Sequence, residues 1–581
     1  MKRPVISVAA ALVLLAPLAA LAAPTPSRGH GRSAEGAVHG LTAAVTDTAV
    51  HLAWNGRGNP VSVRRDGVVI ARVPVGAKRF DDTTAAPQVT HTYQVGTSRP
   101  VRVRMPDYLV GAATEDITPA GRVNLGGNGL GDGRLFPDAL IGRGGTGSAK
   151  TERIKVRATV VDDGRTAIAI ADIEVQGWFA AYQDGKQGLS DMAAEIARLV
   201  PRLPVANIVI ASDHSHSAPD TLGVWGGPKP GYLDLVKRQV VSAVRQAYSS
   251  RVYANLAAGH SDASDLVYNQ SCSEGLNQDA ESDYPNDVCA TPGKDGMVRV
   301  VQATAPSGRH PLTFMAFAAH ATAGGGSGIH GDWPQFLSDA MSARYGGVGL
   351  AMVGALGGTQ PCRPTCGFTK PTNPGYGVKD RKTAIVLNYS AHVASALAHA
   401  RRVTGPVAAA QGFIREPLVG PAAAALFAVG KYGGAELMRN HEPPWVNAQT
   451  VRTVVGAMRI GNVVLAATPG EAFPRIRQDV ADAVGSQAIE VISLGLANDQ
   501  LGYLIAPAAY VPIIAAEVPV NDNIIFNVSP TIGDHVACAD ITLLSRLRLA
   551  VPPPPSCAPY VVEDSLGDPI SAVPVGGIVV P

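Results

Sequence analysis

Short apolar strands alternate with amphipathic helices over most of this 581-residue chain, from about Met105 onward. Apolar runs predict strands at 156–161, 167–173, 208–211, 312–319, 463–467 and 491–494. A period of about 3.6 residues predicts helices at 189–200, 232–248, 335–345, 379–403 and 474–484. This alternation favours an α/β domain in which helices cover the sheets. We assign residues 105–550 to that domain.

Residues 36–100 have a different pattern, in which short strands follow one another at even spacing. Val50, Leu52 and Trp54 alternate with other residues in one of these strands. The pattern predicts a small β-sandwich ahead of the α/β domain. The stretch that contains LTAAVTDTAVHLAWNG resembles a fibronectin type III domain, a module that usually positions a neighbour or binds a surface polymer.

The first residues have the features of an export signal. Lys2 and Arg3 precede a long apolar run that ends in an A-x-A pattern at Ala22. This arrangement predicts a signal peptide at residues 1–22 and a secreted, extracellular protein. An uncleaved membrane helix is the alternative, but Pro17 and the small residues favour cleavage.

The remaining terminal segments and the cysteines complete the predicted organisation. Residues 23–35 are small and polar and predict a flexible leader, whereas the Pro- and Gly-rich residues 551–581 predict a tail on the surface. An exported chain with six cysteines is expected to form disulfides. The simplest pairing is sequential: Cys272 with Cys289, Cys362 with Cys366, and Cys538 with Cys557.

Composition excludes two classes of protein. Hydrophobic residues make up 46% of the chain and charged residues 17%, which is unlike an intrinsically disordered protein. The 49 basic and 47 acidic side chains nearly balance, and no run of Lys and Arg forms a basic stripe. We therefore predict no nucleic-acid partner.

Three predicted strands end in side chains that bind metals. His214 and His216 follow the strand at 208–211, His320 follows the one at 312–319, and Glu471 follows the one at 463–467. Ligands of α/β sheets collect beyond the carboxyl ends of strands, and imidazoles with a carboxylate are the donors of an open hydrolytic zinc site. A histidine after one strand is more often a packing residue, so the indication comes from the three strand ends together.

Six segments, spread over about 400 residues, resemble the neutral/alkaline ceramidase family. SDHSHSAPD is similar to the family's T-H-T-H-S-G-P signature, FMAFAAHAT to its second zinc-histidine segment and VVLAATPGEAF to its zinc-glutamate segment. VGAATEDITPAGRVNLGG, AIAIADIEV and LGLANDQLGY resemble further family segments, and all six occur in the family's order.

The resemblance implies a ceramidase-like zinc hydrolase domain and assigns roles to individual residues. It implies that His214, His320, Glu471 and Tyr503 bind Zn²⁺, with Tyr503 completing the metal sphere. His216 would face the substrate, and His216 and Tyr503 would act in catalysis. In this family zinc activates a water that attacks an amide carbonyl, so the expected substrate is ceramide or another lipid amide.

Two departures from the family leave alternatives open. Gln360 stands where the family has a serine that contacts the substrate, and a family arginine before the second zinc histidine is absent. An esterase or lactonase using the same zinc, or a non-catalytic extracellular binding protein, would also be consistent with the sequence. We further expect that the sandwich could bring the protein into peripheral contact with a membrane or a cell-surface polymer.

Overall fold

The computed structural model describes residues 37–57, 60–127, 146–148, 152–182, 186–223, 225, 227–269, 294–324, 328–361, 371–418, 450–505, 526–552 and 562–571. The predicted signal peptide and leader lie outside these residues, so both stay predictions. Cys538 is disulfide-bonded, but the other five cysteines also lie outside the described residues, and the three predicted pairings stay predictions.

Seven strands form a β-sandwich at the N-terminal end of the described chain: β1 (Ala37–Val45), β2 (Val50–Arg57), β3 (Val61–Arg65), β4 (Val68–Val73), β5 (Arg79–Asp82), β6 (Thr90–Val95) and β7 (Val101–Arg104). One sheet has the order β1-β2-β5 and the other β4-β3-β6-β7. Leu52, Val63 and Tyr93 are buried between them. The predicted β-sandwich is confirmed, although its last strand continues to Arg104; the fibronectin type III resemblance stays a prediction.

A nine-stranded mixed sheet forms the centre of the larger domain. Its strands are β8 (Tyr108–Asp116), β11 (Lys155–Asp162), β12 (Ala167–Ile173), β13 (Ile208–Ser212), β14 (Val252–Asp262), β16 (Met297–Thr304), β17 (Leu312–Phe317), β18 (Val348–Val353) and β20 (Arg401–Val403). Their order is β13-β12-β11-β8-β14-β16-β17-β18, and β20 pairs with β14. β12 with β13 and β17 with β18 are parallel pairs.

A six-stranded sheet packs on one face of the nine-stranded sheet. It contains β21 (Val407–Pro417), β22 (Thr450–Ile460), β23 (Val463–Ala467), β25 (Glu490–Leu494), β27 (Val562–Glu563) and β28 (Pro569–Ile570), in the order β25-β23-β22-β21-β27-β28. Apolar residues of both sheets, such as Phe314 and Leu465, form one buried core. Three short pairs complete the strands: β9 (Arg122–Asn124) with β10 (Thr146–Ser148), β15 (Val267–Asn269) with β19 (Thr359–Pro361), and β24 (Glu471–Ala472) with β26 (Tyr503–Leu504).

Helices cover the outer faces of the two sheets. α1 (Leu189–Leu199), α2 (Tyr232–Ser249), α3 (Asp332–Tyr345) and α4 (Arg381–Ala398) pack on the nine-stranded sheet. α5 (Pro474–Val484) and α6 (Ile532–Arg546) pack on the six-stranded sheet. The result is a helix–sheet–sheet–helix arrangement, which confirms the predicted α/β class. Among the described helices, none is both long enough and apolar enough to cross a membrane.

One predicted helix was too long. The helix predicted at 379–403 ends at Ala398, because Arg401–Val403 instead forms β20, which pairs with β14. The segment after residue 550 is predicted to lie on the surface as a tail. In its described part, Val562 is buried and residues 565–569 are exposed, while β27 and β28 add to the edge of the six-stranded sheet.

Candidate metal centre

Four loops at one end of the two packed sheets bring the predicted metal ligands together. His214 lies two residues beyond β13, and His320 lies three residues beyond β17. Glu471 begins β24, which follows β23, and Tyr503 begins β26. β24 and β26 pair in parallel with Glu471 opposite Tyr503. The nine-stranded sheet therefore supplies the two histidines, while loops that follow strands of the six-stranded sheet supply the carboxylate and the phenol.

The donor atoms converge on one buried point. Glu471 Oε2 lies 3.3 Å from His214 Nε2 and 3.1 Å from His320 Nε2. The Tyr503 hydroxyl lies 3.2 Å from His320 Nε2. A tetrahedral ion bound at about 2.0–2.1 Å would hold neighbouring ligand atoms about 3.3 Å apart. His214, His320 and Glu471 are thus spaced as a set that could hold a metal ion.

Main-chain carbonyls fix the orientation of both imidazoles. His214 Nδ1 donates a hydrogen bond to the Gln176 carbonyl at 2.8 Å. His320 Nδ1 donates to the Thr359 carbonyl, also at 2.8 Å. With the proton on Nδ1, each Nε2 presents its lone pair to the shared point, which is the usual arrangement behind metal-binding histidines.

A side-chain amide holds the second oxygen of the carboxylate. Gln500 Nε2 donates to Glu471 Oε1 at 3.2 Å, so that Oε2 is left to face the histidines. Burial would raise the pKa of Glu471, but His214 and His320 outweigh it and hold that pKa well below its ordinary value. Burial likewise opposes protonation of His214, yet Glu471 raises the pKa of His214. The negative charge of Glu471 is therefore stabilised by its two histidine neighbours.

His216 lies beside this cluster and is partly exposed to solvent. Its Nε2 is 3.3 Å from His214 Nε2, and its side chain is only half-buried. Gly127 packs against the ring, because a Cβ at that position would lie 2.4 Å from the ring of His216. His216 can therefore contact both the centre and a molecule beside it, and its substrate-facing role stays a prediction.

The loop that carries His214 is shaped by a buried carboxyl group. Asp213 Oδ1 accepts the backbone N–H of Ser215, and His214 adopts a φ of +60°, which residues other than glycine seldom adopt. Burial, together with Asp172 and Glu174, raises the pKa of Asp213 well above its ordinary value. The raised pKa favours the uncharged acid, which limits the negative charge behind the histidines.

Sequence reasoning predicted the residues that cluster here but not the groups that orient them. The structure brings together all five predicted site residues: His214, His216, His320, Glu471 and Tyr503. Because the carbonyls of Gln176 and Thr359 act through the main chain, their side chains gave no signal. Gln500 could have been considered, since it lies three residues before Tyr503.

Gln360 lies beside the centre, in the strand that orients His320. It follows Thr359, whose carbonyl accepts hydrogen bonds from both the backbone N–H and Nδ1 of His320. Gln360 is largely buried, and its Oε1 accepts a hydrogen bond from the Thr322 hydroxyl at 3.1 Å. The residue that differs from the family serine is thus held in place directly after the residue whose carbonyl orients His320.

Comparison with known proteins finds matches among solved structures. No family model and no curated protein matches the sequence. The crystal structure of neutral ceramidase from Pseudomonas aeruginosa matches with a TM-score of 0.58 and 17% identity, covering 78% of this chain and 78% of that chain. The chain has the neutral ceramidase fold. A second structure, described as ceramidase complexed with C2, gives a TM-score of 0.57 and 17% identity over 78% of this chain and 77% of the other.

The ceramidase fold is the one that the six sequence segments implied, so that prediction is confirmed. At 17% identity the similarity concerns the fold alone. What the chain does has to be inferred from its own site.

Proposed function

We propose that this protein is a secreted zinc-dependent hydrolase that cleaves an N-acyl amide bond, with ceramide or a related lipid amide as the first candidate substrate. The main support is the convergence of His214 Nε2, His320 Nε2 and Glu471 Oε2 at the strand ends of a ceramidase fold. Both imidazoles already have the tautomer that a metal requires. Secretion rests on the N-terminal sequence pattern.

Zinc is the metal that these donors fit best. Two imidazole nitrogens and a carboxylate oxygen form the protein ligand set of many catalytic zinc sites, in which a further position is open. Zinc bound there would supply Lewis-acid chemistry, lowering the pKa of a bound water to about 7 and polarising a carbonyl oxygen. Tyr503 could add its hydroxyl, which lies 3.2 Å from His320 Nε2.

The other residues would handle protons and charge. His216 is close to the centre and half-buried, so its imidazole could donate a proton to the leaving amine. The Tyr503 hydroxyl could donate a hydrogen bond to the oxyanion that forms when the carbonyl is attacked. Glu471 remains ionised because the two histidines lower its pKa, and it would thus balance the charge of a cation.

The same residues would also suit an ester or a lactone, because none of them selects nitrogen over oxygen in the leaving group. A non-catalytic extracellular binding protein is the second candidate. It is favoured by Gln360, which places a buried amide where the family has a serine. A buried polar side chain of a different size could close the position in which the family's substrate lies.

The test combines metal content with hydrolysis. Zinc would be measured by elemental mass spectrometry on the mature wild type, on His320→Ala and on His392→Ala. His392 is the control because it lies on α4 and its side chain contacts Ser261. We expect about one zinc per chain in the wild type and the control, and none in His320→Ala.

The same three proteins would be assayed on a short-chain ceramide, a simple N-acyl amide and the matching ester. We expect the wild type and His392→Ala to cleave the amide and His320→Ala to be inactive. A wild-type protein that stays metal-free after incubation with zinc would contradict the proposed function as a zinc-dependent hydrolase. Zinc binding without cleavage of any of the three compounds would favour the binding protein.

A further inference from the structure

The charge of the chain is unevenly divided between its two folded parts. Residues 37–104, which form the sandwich, contain nine basic and four acidic side chains, a net charge of +5. Residues 105–581 contain 36 basic and 42 acidic side chains, a net charge of −6. Nearly equal totals thus conceal a basic sandwich attached to an acidic domain.

Part of the positive charge lies on the outer face of the sheet β4-β3-β6-β7. Side chains alternate between the two faces of a strand. Val73 on β4 and Val103 on β7 point into the core, so Arg72 and Arg102 point outward. These strands lie three positions apart in the sheet, or about 14 Å. The four strands of the sheet contain no acidic residue.

These two arginines are available to an outside partner. The ion pairs of this sheet use other arginines, since Arg65 pairs with Asp82 and Arg104 with Asp107. Arg72 and Arg102 are exposed, and neither pairs with an acidic group among the described residues.

Exposed apolar side chains accompany the charges along the edge of the same sheet. β4 is an edge strand, and three valines on it or just after it are open to solvent: Val68 at 67%, Val69 at 43% and Val75 at 63%. Arg72 lies on the same edge strand as these valines, and Arg102 lies on the opposite edge strand of the sheet. A surface with both cations and large exposed apolar groups is suited to the boundary between lipid head groups and acyl chains.

We propose that the outer face of this sheet, made of Arg72, Arg102 and Val69 with the exposed Val75 beside it, docks on an anionic phospholipid bilayer. The arginines would contact phosphate and carboxylate groups, while the valines would enter the apolar boundary. A bilayer accounts for both features, whereas a soluble polyanion would leave the valines in water. This inference does not depend on the proposed hydrolase activity.

The test is co-sedimentation of the full mature protein with vesicles of phosphatidylcholine alone or of phosphatidylcholine mixed with phosphatidylserine. We expect binding only to the mixed vesicles, and weaker binding as salt is raised. Arg72→Gln and Arg102→Gln should each weaken binding about fivefold, equivalent to about 1 kcal/mol. Val75→Ser should weaken binding as well.

Arg238→Gln is the matched control. Arg238 is an exposed arginine of α2, so the variant removes the same charge from the helical face of the larger domain. It should bind the mixed vesicles as the wild type does. Thermal melts of every variant would verify that each one is folded.

Several results would overturn the proposal. These are equal binding to both kinds of vesicle, an equal loss in Arg238→Gln and Arg72→Gln, or binding to heparin without binding to vesicles. A dimer in sedimentation that Val68→Asp dissociates would mean that the edge pairs with a second copy instead. The vesicles contain no amide substrate, so a failure here leaves the test of hydrolysis unaffected.

Discussion

Gln500 and Gln176 provide a paired test of how the metal centre is held. Both glutamines are buried beside the centre, and each contacts one ligand. Gln500 uses its side chain, whose Nε2 donates to Glu471 Oε1. Gln176 uses its backbone carbonyl, which accepts from His214 Nδ1 at 2.8 Å; its side-chain Nε2 lies 3.5 Å from that nitrogen, which has no lone pair to offer it because it donates to the carbonyl. Replacing each by methionine removes the amide while roughly preserving volume, so the two variants should differ.

The expected difference can be worked out from these contacts. A hydrogen bond to a charged group contributes about 1.5–3 kcal/mol. Losing an outer partner of a metal ligand costs about 10–100-fold in metal affinity, which is about 1.4–2.7 kcal/mol. We therefore expect Gln500→Met to bind zinc about 10–100-fold more weakly. Gln176→Met keeps the carbonyl and should change affinity by less than about threefold.

The assay is zinc titration in competition with a chromogenic chelator, on wild type and both variants, with a urea unfolding curve for each. An affinity of Gln500→Met equal to that of the wild type would refute the role given to its amide. Equal losses in both variants would show that the core, rather than the hydrogen bond, was disturbed. A lower stability without a change in zinc affinity would make Gln500 a packing residue.

Three further outcomes are expected. His216→Ala should retain zinc while hydrolysis falls about 10²–10⁴-fold, whereas loss of zinc would make His216 a ligand. Zinc affinity, titrated at several pH values, should fall about tenfold per pH unit below the pKa of His214, because zinc competes with a proton for this imidazole and Glu471 raises that pKa. An affinity that does not change with pH would contradict the role of His214 as a ligand. Asp540, buried in α6 with no hydrogen-bond partner among the described residues, has a raised pKa, so the folded state retains a proton that the unfolded chain releases above about pH 4. Through this one group, the free energy of unfolding in urea should fall with rising pH by up to about 1.4 kcal/mol per unit, and Asp540→Ala should lower the measured slope by that amount; an unchanged slope would refute it.

The sequence predicted the strands well where periodicity and burial agree. Ala167–Ile173 and Val463–Ala467 match their predicted bounds because both are uninterrupted apolar runs, buried along their whole length. The helix that ends at Ala398 was predicted too long, because the arginines of β20 are compatible with a helix as well. Only pairing with β14, a contact between distant parts of the chain, distinguishes the two.

The ligands were predictable because strand ends meet at one edge of a sheet, and because the family resemblance added Tyr503. The packing of a second sheet against the first was not predictable from periodicity, since a buried strand has the same apolar pattern in either sheet. The carbonyls of Gln176 and Thr359 were not predictable either, because every residue has a carbonyl. Their roles depend on distances that only the folded chain defines.

The division of the ligands between two sheets has a mechanical consequence. His214 and His320 belong to one sheet, and Glu471 follows a strand of the other. An ion bound by all three would be a removable cross-link between the sheets, and it would resist any sliding of one over the other. Conversely, a substitution in the core between the sheets, such as Leu465→Ala, would alter the spacing of the ligands although it replaces none of them. The affinity of the centre for such an ion would therefore measure how well the two sheets are packed.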